Sequence, residues 1–192
     1  IKALDLKNIT LVVQDWGGVL GLTLPHAMPE RINRLLVMNT AIALGTPAGK
    51  GFTDWRAYNK ANPDMDITAL MARATPVLSK AEAAAYAAPF PDVRYKAGVR
   101  RFPDMVMTDP GMEGINHSKD AVSFLSSGWD GESFMAIGMQ DPVLGPLVME
   151  WLRGIIRKCP EPMQVADGGH FLQEWGGPIA TAAMKHWGDI EA

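Results

Sequence analysis

The sequence has a single cysteine, Cys159, among its 192 residues. An intrachain disulfide needs two cysteines, so a disulfide framework is excluded, and we interpret Cys159 as a small buried apolar residue. No apolar run approaches the roughly 20 residues that a membrane-spanning helix needs. The formal net charge is only −3, from 18 basic and 21 acidic residues. This balance gives no electrostatic surface for nucleic acid or an anionic membrane, and we expect neither as a partner.

Metal-ligand spacings and repeats are also missing. The histidines and carboxylates form no cluster with ligand spacing, so we expect no metal site, and we expect no cofactor. His26, His117 and His186 have no partner pattern and are assigned to no site. The 47% apolar and 20% charged content is ordinary for a globular protein with a sizeable core, although residues 81–88 are rich in alanine. We expect a cytoplasmic protein.

The most informative segment is Gln-Asp-Trp-Gly-Gly at residues 14–18. It follows an apolar run at 9–13 and precedes a run at 19–24 that is compatible with a helix, which predicts a strand, a tight turn and a helix with Asp15 at the apex. A sharp strand-to-helix turn presents the nucleophile in α/β-hydrolases. A carboxylate at that position can attack a saturated carbon and leave an ester that water hydrolyses. The alternative is that Asp15 only caps the helix that begins near Gly17.

Two further residues lie in loops that follow predicted strands. Asp141 comes after a strand predicted at 133–139, and His170 comes after a strand predicted at 162–166. Taken singly, Asp141 could be an ordinary turn former and His170 a solvated side chain. An α/β-hydrolase, however, presents nucleophile, acid and histidine in this chain order, each at the carboxyl end of a strand. The three residues together therefore indicate a catalytic triad.

The sequence resembles the haloalkane dehalogenases along nearly all of its length. The segments that carry this resemblance are 13–18, 51–55, 87–91, 134–141 and 167–174. The likeness is greatest to the subfamily whose catalytic acid follows the strand after the cap domain. The resemblance implies that Asp15 is the nucleophile, His170 the base and Asp141 the acid that orients the base. It also implies that Trp16 and Trp55 donate their indole N–H groups to the halide.

These residue types suit the chemistry that the resemblance implies. Attack by Asp15 drives charge onto the leaving halide, which preorganised donors must stabilise. An indole N–H donates a hydrogen bond and accepts none, so two tryptophans can bind an anion in an apolar cavity. Trp16 follows the proposed nucleophile directly, whereas Trp55 rests mainly on the resemblance, and core packing is its alternative role. Phe52 is a candidate for the substrate pocket. The expected partners are a small halogenated alkane, water and a halide ion.

Helix breakers divide the chain into two predicted parts. A partial α/β-hydrolase core is predicted at residues 1–44 and 129–192. It includes a further strand at 34–39 and helices near 147–156 and 179–187. Residues 45–128 carry many prolines and glycines between short helical stretches such as 67–72 and 79–86. We predict that this segment is a helical cap over the active site. It contains five flexible methionines that we interpret as core packing rather than pocket lining: Met65, Met71, Met105, Met107 and Met112.

The chain begins with Ile1, only a few residues before the predicted elbow strand. An α/β-hydrolase places several strands and an oxyanion loop ahead of its nucleophile. We therefore expect a C-terminal fragment that lacks the first strands of the sheet. The complete protein is expected to be monomeric.

Two other functions stay open. An epoxide hydrolase shares the aspartate nucleophile and resembles segment 15–18, but two cap tyrosines must protonate its leaving alkoxide. Tyr58, Tyr86 and Tyr95 are the three tyrosines of the chain. The other possibility is that the truncated chain is a catalytically silent remnant or a binding module.

Overall fold

The computed structural model describes residues 1–191 and shows a parallel sheet of four strands. The strands are β1 (Ile9–Asp15), β2 (Ile32–Thr40), β3 (Glu132–Gly138) and β4 (Met163–Val165), and they lie side by side in that order. All neighbouring strands are parallel. The four predicted strands are therefore confirmed. Because the carboxyl ends of parallel strands meet at one edge of the sheet, the loops after β1, β3 and β4 lie together there.

Helices connect the strands. They are α1 (Trp16–Gly21), α2 (Leu24–Ala27), α3 (Lys50–Ala61), α4 (Ile67–Ala74), α5 (Lys80–Ala87), α6 (Ala97–Met105), α7 (Ile115–Ser127), α8 (Pro146–Ile155) and α9 (Gly176–His186). Short 3-10 turns occur at Lys2–Leu4, Val93–Lys96 and Leu172–Trp175. The predicted helices are confirmed as α4, α5, α8 and α9. The start of α5 is fixed by a capping box, in which Ser79 and Glu82 bond each other's backbone N–H.

Apolar residues cover both faces of the sheet. In β2, Leu35 and Val37 enter the core on one face, while Leu36 and Met38 enter the core on the other. This alternation is the two-residue period of a strand, and burial of both faces is typical of a parallel sheet between helices. The first core includes Met149 and Leu152 of α8, and the second includes Ile179 and Ala183 of α9.

A third apolar cluster lies in the predicted cap. Its buried members are Met65, Ile67, Met71 and Ala83. Met65, Met71 and Met107 are buried, as interpreted from the sequence, whereas Met105 is 44% exposed, so its interpretation as a core residue is wrong. The last helix of the predicted segment 45–128, α7, does not pack with this cluster. Its Leu125 is buried in the first core of the sheet. The packing therefore places α7 with the sheet, while the division of the chain into core and cap otherwise stays a prediction.

One edge of the sheet is formed by β1. Val12 on this strand is 56% exposed, and Leu20 on the following helix α1 is 60% exposed. The outer backbone N–H and C=O groups of an edge strand can pair with a further strand, and such a strand would also cover exposed apolar side chains beside the edge.

Cys159 packs beside the first core of the sheet. Burial raises the pKa of its thiol to about 11, so it stays protonated near neutral pH. This agrees with its interpretation as an apolar residue. Separately, none of the helices within residues 1–191 combines the length and the apolar character needed to cross a membrane.

Candidate active site

Asp15 lies at the sharp turn between β1 and α1. Its backbone adopts φ 48° and ψ −122°, a positive-φ conformation that is strained for a residue with a side chain. The Thr40 hydroxyl donates a 2.6 Å hydrogen bond to the Asp15 carbonyl oxygen and helps to hold this turn. The Asp15 carboxylate makes no capping hydrogen bond to α1. The geometry thus favours a presented nucleophile over the alternative of a helix cap.

Gly18 allows the turn to close against β2. A Cβ at this position would lie 1.8 Å from the Thr40 Oγ1 atom, so a side chain would force α1 away from the strand. By contrast, a Cβ on Gly17 would meet no atom within 4 Å. Of the two adjacent glycines, Gly18 is therefore the one that the elbow requires, and it leaves the Thr40 hydroxyl free to bond Asp15.

His170 lies between the two candidate carboxylates. Its Nδ1 atom is 2.8 Å from Asp141 Oδ2, and its Nε2 atom is 3.6 Å from Asp15 Oδ1. If Nδ1–H donates to Asp141, the lone pair of Nε2 is on the side of Asp15. Gln14 holds the loop by donating a 2.8 Å hydrogen bond from Nε2 to the His170 carbonyl oxygen. The structure thus brings the three predicted triad residues together in the order carboxylate, imidazole, carboxylate.

Asp141 is buried, and its carboxylate accepts hydrogen bonds at both oxygens. Oδ1 accepts from the backbone N–H groups of Val143 (2.8 Å) and Leu144 (3.0 Å). Oδ2 accepts from His170 and from the side chain of Asn39. Burial raises the pKa of Asp141, but the hydrogen bond and charge of His170 and the two backbone N–H groups outweigh it. The pKa therefore lies below its usual value, and the carboxylate stays ionised.

The same pair of carboxylates sets the basicity of His170. Burial lowers the pKa of the imidazole, but the hydrogen bond and charge of Asp141, together with the charge of Asp15, raise it further than burial lowers it. The net pKa of His170 lies above its ordinary value. Such an environment stabilises the protonated form of the ring, as the predicted role of general base requires.

Asn39 supports Asp141, although no sequence pattern singled it out. This fully buried residue near the end of β2 donates from Nδ2 to Asp141 Oδ2 (2.9 Å). Its Oδ1 accepts a 2.8 Å hydrogen bond from the backbone N–H of Gly138 at the end of β3. Asn39 therefore links Asp141 to β2 and β3. The sequence feature that could have indicated this role is the position of Asn39, directly after the apolar run 35–38 and thus at the same edge of the sheet as Asp141 and His170.

We expect Asn39→Ala to destabilise the protein by about 1–3 kcal/mol, because it leaves the buried Gly138 N–H without its acceptor and removes a donor from Asp141. Urea unfolding followed by circular dichroism measures this change. The control is Asn33→Ala on the same strand, since Asn33 is exposed. Equal unfolding midpoints for the two variants would contradict the structural importance of Asn39.

Trp16 opens α1 directly after Asp15 and is half-buried. Its ring lies edge-to-face with Phe102 of α6, with 5.0 Å between the ring centroids. A helix of the predicted cap therefore contacts the residue next to the candidate nucleophile. This neighbourhood suits the role predicted for Trp16, which stays a prediction.

Trp55 and Phe52 both lie on α3, away from the elbow in the chain. Trp55 stacks on Tyr58, with 6.1 Å between centroids, and packs against the cap cluster around Met65. The Arg56 guanidinium lies 5.7 Å from the centre of the Phe52 ring. None of these contacts involves Asp15 or Trp16, so the halide role of Trp55 and the pocket role of Phe52 stay predictions.

The beginning of α3 packs against the loop that carries Asp141. A Cβ at Gly51 would lie 2.2 Å from the carbonyl oxygen of Pro142, the residue after Asp141. A side chain is therefore excluded at this contact. The close approach brings the helix with Phe52 and Trp55 to the same edge of the sheet as the triad.

The three tyrosines have other contacts. Tyr58 is stacked on Trp55, and Tyr95 is 58% exposed. The Tyr86 hydroxyl hydrogen-bonds to Glu174 and Gln173. None of these contacts is with the triad, so they give no support to the pair of tyrosine acids that an epoxide hydrolase needs.

Comparison with known proteins gives matches along most of the chain. Residues 1–177 match the family model of the alpha/beta hydrolase fold. A haloalkane dehalogenase of Mycolicibacterium paratuberculosis is 35% identical over 191 residues, which cover 96% of this chain and 62% of that protein. A haloalkane dehalogenase of Psychrobacter cryohalolentis is 37% identical over 180 residues, covering 91% and 58% of the two chains. This chain thus spans about three fifths of the length of these curated relatives.

A solved structure of a haloalkane dehalogenase is also similar to this chain. The tetrameric haloalkane dehalogenase DpaA from Paraglaciecola agarilytica NO2 superposes with a TM-score of 0.91 and 45% sequence identity. The match covers 95% of this chain and 61% of that one. A high structural score with substantial identity shows that the sheet and its surrounding helices follow the arrangement of that protein.

Proposed function

Since the chain belongs to the α/β-hydrolases and its relatives are haloalkane dehalogenases, we propose that its protein hydrolyses small haloalkanes to an alcohol and a halide ion. The resemblance drawn from the five sequence segments is confirmed by these relatives. The observation that supports the activity most directly is the carboxylate of Asp15 at a strained elbow, 3.6 Å from the imidazole of His170. An aspartate in that place suits displacement at a saturated carbon.

In the first step, an oxygen of Asp15 attacks the carbon that bears the halogen. The new carbon–oxygen bond forms as the carbon–halogen bond breaks, and the electron pair of the carbon–halogen bond leaves with the halide. The product is an alkyl ester of Asp15. Trp16, adjacent in the chain, and Trp55 on α3 are the proposed donors to the departing halide, where hydrogen bonds lower the barrier most if the site is dry.

In the second step, His170 acts as general base. The 3.6 Å between its Nε2 and Asp15 Oδ1 is too long for a direct hydrogen bond, so Nε2 can face a water molecule beside the carboxyl group. Nε2 takes a proton from that water, and the oxygen adds to the carboxyl carbon of the ester. When the adduct collapses, the bond between the carboxyl carbon and the ester oxygen breaks, and the alcohol leaves with the proton that His170 returns. The carboxyl group of Asp15 keeps the second proton of the water, releases it to solvent and becomes a carboxylate again. The ionised Asp141 stabilises the imidazolium between these events.

The activity is tested by comparing two substrates of matched size. We expect the protein that carries this chain to release bromide from 1-bromobutane and to form no diol from 1,2-epoxybutane. Ion chromatography measures the bromide, and gas chromatography measures the diol. Diol without bromide would favour the epoxide hydrolase, and neither product would favour the silent remnant.

The cytoplasmic location and the monomeric state are further parts of the proposal. The DpaA relative is tetrameric, which makes the assembly of this protein a matter for measurement. Sedimentation velocity of the protein that carries this chain distinguishes a monomer from a tetramer.

The halide donors are tested by replacing each tryptophan with phenylalanine. Trp16→Phe and Trp55→Phe keep most of the apolar volume but remove one N–H, so we expect about 10²–10³-fold slower halide release in the first turnover, as for loss of an oxyanion donor. Rapid-quench measurement of bromide gives this rate. Bromide should also quench indole fluorescence less in each variant. The control is Trp151→Phe on α8, because Trp151 is 46% exposed. An unchanged Trp55→Phe protein would make Trp55 a packing residue of α3.

A further inference from the structure

The loop that carries His170 is enclosed between the sheet and two helices of the predicted cap. On the sheet side, Gln14 binds its backbone and Asp141 binds its imidazole. On the cap side, a Cβ at Gly169 would lie 2.9 Å from the carbonyl oxygen of Ala74 at the end of α4. The loop therefore lies directly against α4, immediately before the candidate base.

A second cap contact is apolar. Phe171 packs against the cap cluster that contains Met65, Ile67 and Met71. Its ring also lies edge-to-face with the imidazole of His170, with 5.1 Å between the ring centroids. A displacement of the cap cluster would therefore shift the imidazole as well, because Phe171 contacts both.

The third cap contact is polar and involves Tyr86 of α5. The Gln173 side chain donates a 3.1 Å hydrogen bond to the Tyr86 oxygen, and the Tyr86 O–H donates to Glu174 Oε1. Gln173 and Glu174 lie in the 3-10 turn Leu172–Trp175, directly after the His170 loop. Burial and the bond to Glu174 raise the pKa of Tyr86, so the phenol remains a donor. Hydrogen bonds to a charged group are among the stronger ones in proteins.

We propose that the hydrogen bond between Tyr86 of α5 and Glu174 fixes the position of the His170 loop relative to the cap, and so keeps the imidazole in place for hydrolysis of the ester. We call these two residues the latch. Both are positioning residues, since they act through His170 and touch no reacting atom. Displacement of the halide needs Asp15 and not the imidazole, so the latch acts on the second step of the proposed reaction. The kinetic part of this inference rests on the proposed function, whereas the mechanical part does not.

The mechanical part is tested without any substrate. In Tyr86→Phe, we expect backbone amides of residues 168–175 to exchange with deuterium about ten-fold faster, the effect of losing a hydrogen bond to a charged group. The pH midpoint of His170, followed by histidine-selective NMR, should move down because a looser contact with Asp141 raises the pKa less. Tyr95→Phe is the control, since Tyr95 is exposed. Unchanged exchange and an unchanged midpoint would overturn the latch.

The kinetic part is tested with 1-bromobutane in the protein that carries this chain. We expect the first-turnover release of bromide to stay within about two-fold of the parent in Tyr86→Phe, while steady turnover falls about ten-fold and ester accumulates on Asp15. Glu174→Gln should give the same pattern, and the double variant should be no worse than either single one, because the two residues act as one unit. Equal slowing of both steps, or additive losses, would overturn the positioning role. A parent that releases no bromide would refute the proposed function, and deuterium exchange would still decide the latch.

Discussion

Replacing Asp15 with asparagine is expected to abolish steady bromide release from 1-bromobutane, with a loss of up to about 10⁶-fold, the scale seen when a catalytic triad loses its nucleophile. The amide has nearly the size of the carboxylate, so the strained turn and the contact of Thr40 with the Asp15 carbonyl should persist. It is nevertheless a poor nucleophile for a saturated carbon. Ion chromatography of bromide over many turnovers measures the loss, and circular dichroism checks the fold.

Asp167→Asn is the matched control, since Asp167 is exposed and only three residues before His170. We expect it to keep parental activity. Peptide mass spectrometry must accompany both variants, because an asparagine can deamidate back to aspartate. Parental activity in an Asp15→Asn protein that is shown to be free of aspartate would remove Asp15 from the nucleophile role.

The second large effect is expected at the base. His170→Gln should leave the displacement step working and stop hydrolysis, since only the water must lose a proton to the imidazole. The expected trace is a burst of about one bromide per protein followed by arrest, on the reasoning that the base is needed only after the ester has formed. Intact-mass spectrometry should then show the protein heavier by one butyl group. Absence of both the burst and the adduct would contradict this division of labour.

The pH dependence of the two steps gives an internal control. The imidazole serves as a base only when it is unprotonated, and the pKa of His170 in the free protein lies above its ordinary value. In the parent, ester hydrolysis should fall as pH drops through the pKa that His170 has in the ester form, while the residual rate of His170→Gln should lack that transition. Single-turnover measurements across a pH series distinguish these profiles. If the parent and His170→Gln showed the same pH transition, the group that titrates would not be His170.

The order of residues along the chain was sufficient to predict the sheet and the proximity of Asp15, Asp141 and His170, whose catalytic roles stay predictions. Each predicted strand is an apolar run that ends at a polar loop residue, and parallel strands place such residues at one edge. Asp15, Asp141 and His170 were found in this way because their positions depend on the local strand ends. The glycine pair after Asp15 predicted a tight turn, although only Gly18 approaches another chain segment closely.

Contacts between distant segments could not be predicted. Asn39 bonds to residues about a hundred positions away, and an asparagine at the end of a strand is also an ordinary turn former. The packing of α7 with the sheet depends on burial of Leu125, which an amphipathic pattern alone does not assign to core or cap. Likewise, the sequence of α3 does not show which neighbours Trp55 meets, and the structure stacks it on Tyr58.

The spacing of 3.6 Å between His170 and Asp15 has a consequence for the order of events in the proposed cycle. The negative charge of Asp15 is one of the causes that raise the pKa of the imidazole. Esterification of Asp15 cancels that charge, while Asp141 keeps its own. The imidazole should then bind protons less tightly in the covalent intermediate than in the free protein, because an opposite charge close by has vanished. Formation of the ester would thus by itself favour the unprotonated imidazole, which is the form that takes a proton from water before the bond between the carboxyl carbon and the ester oxygen breaks.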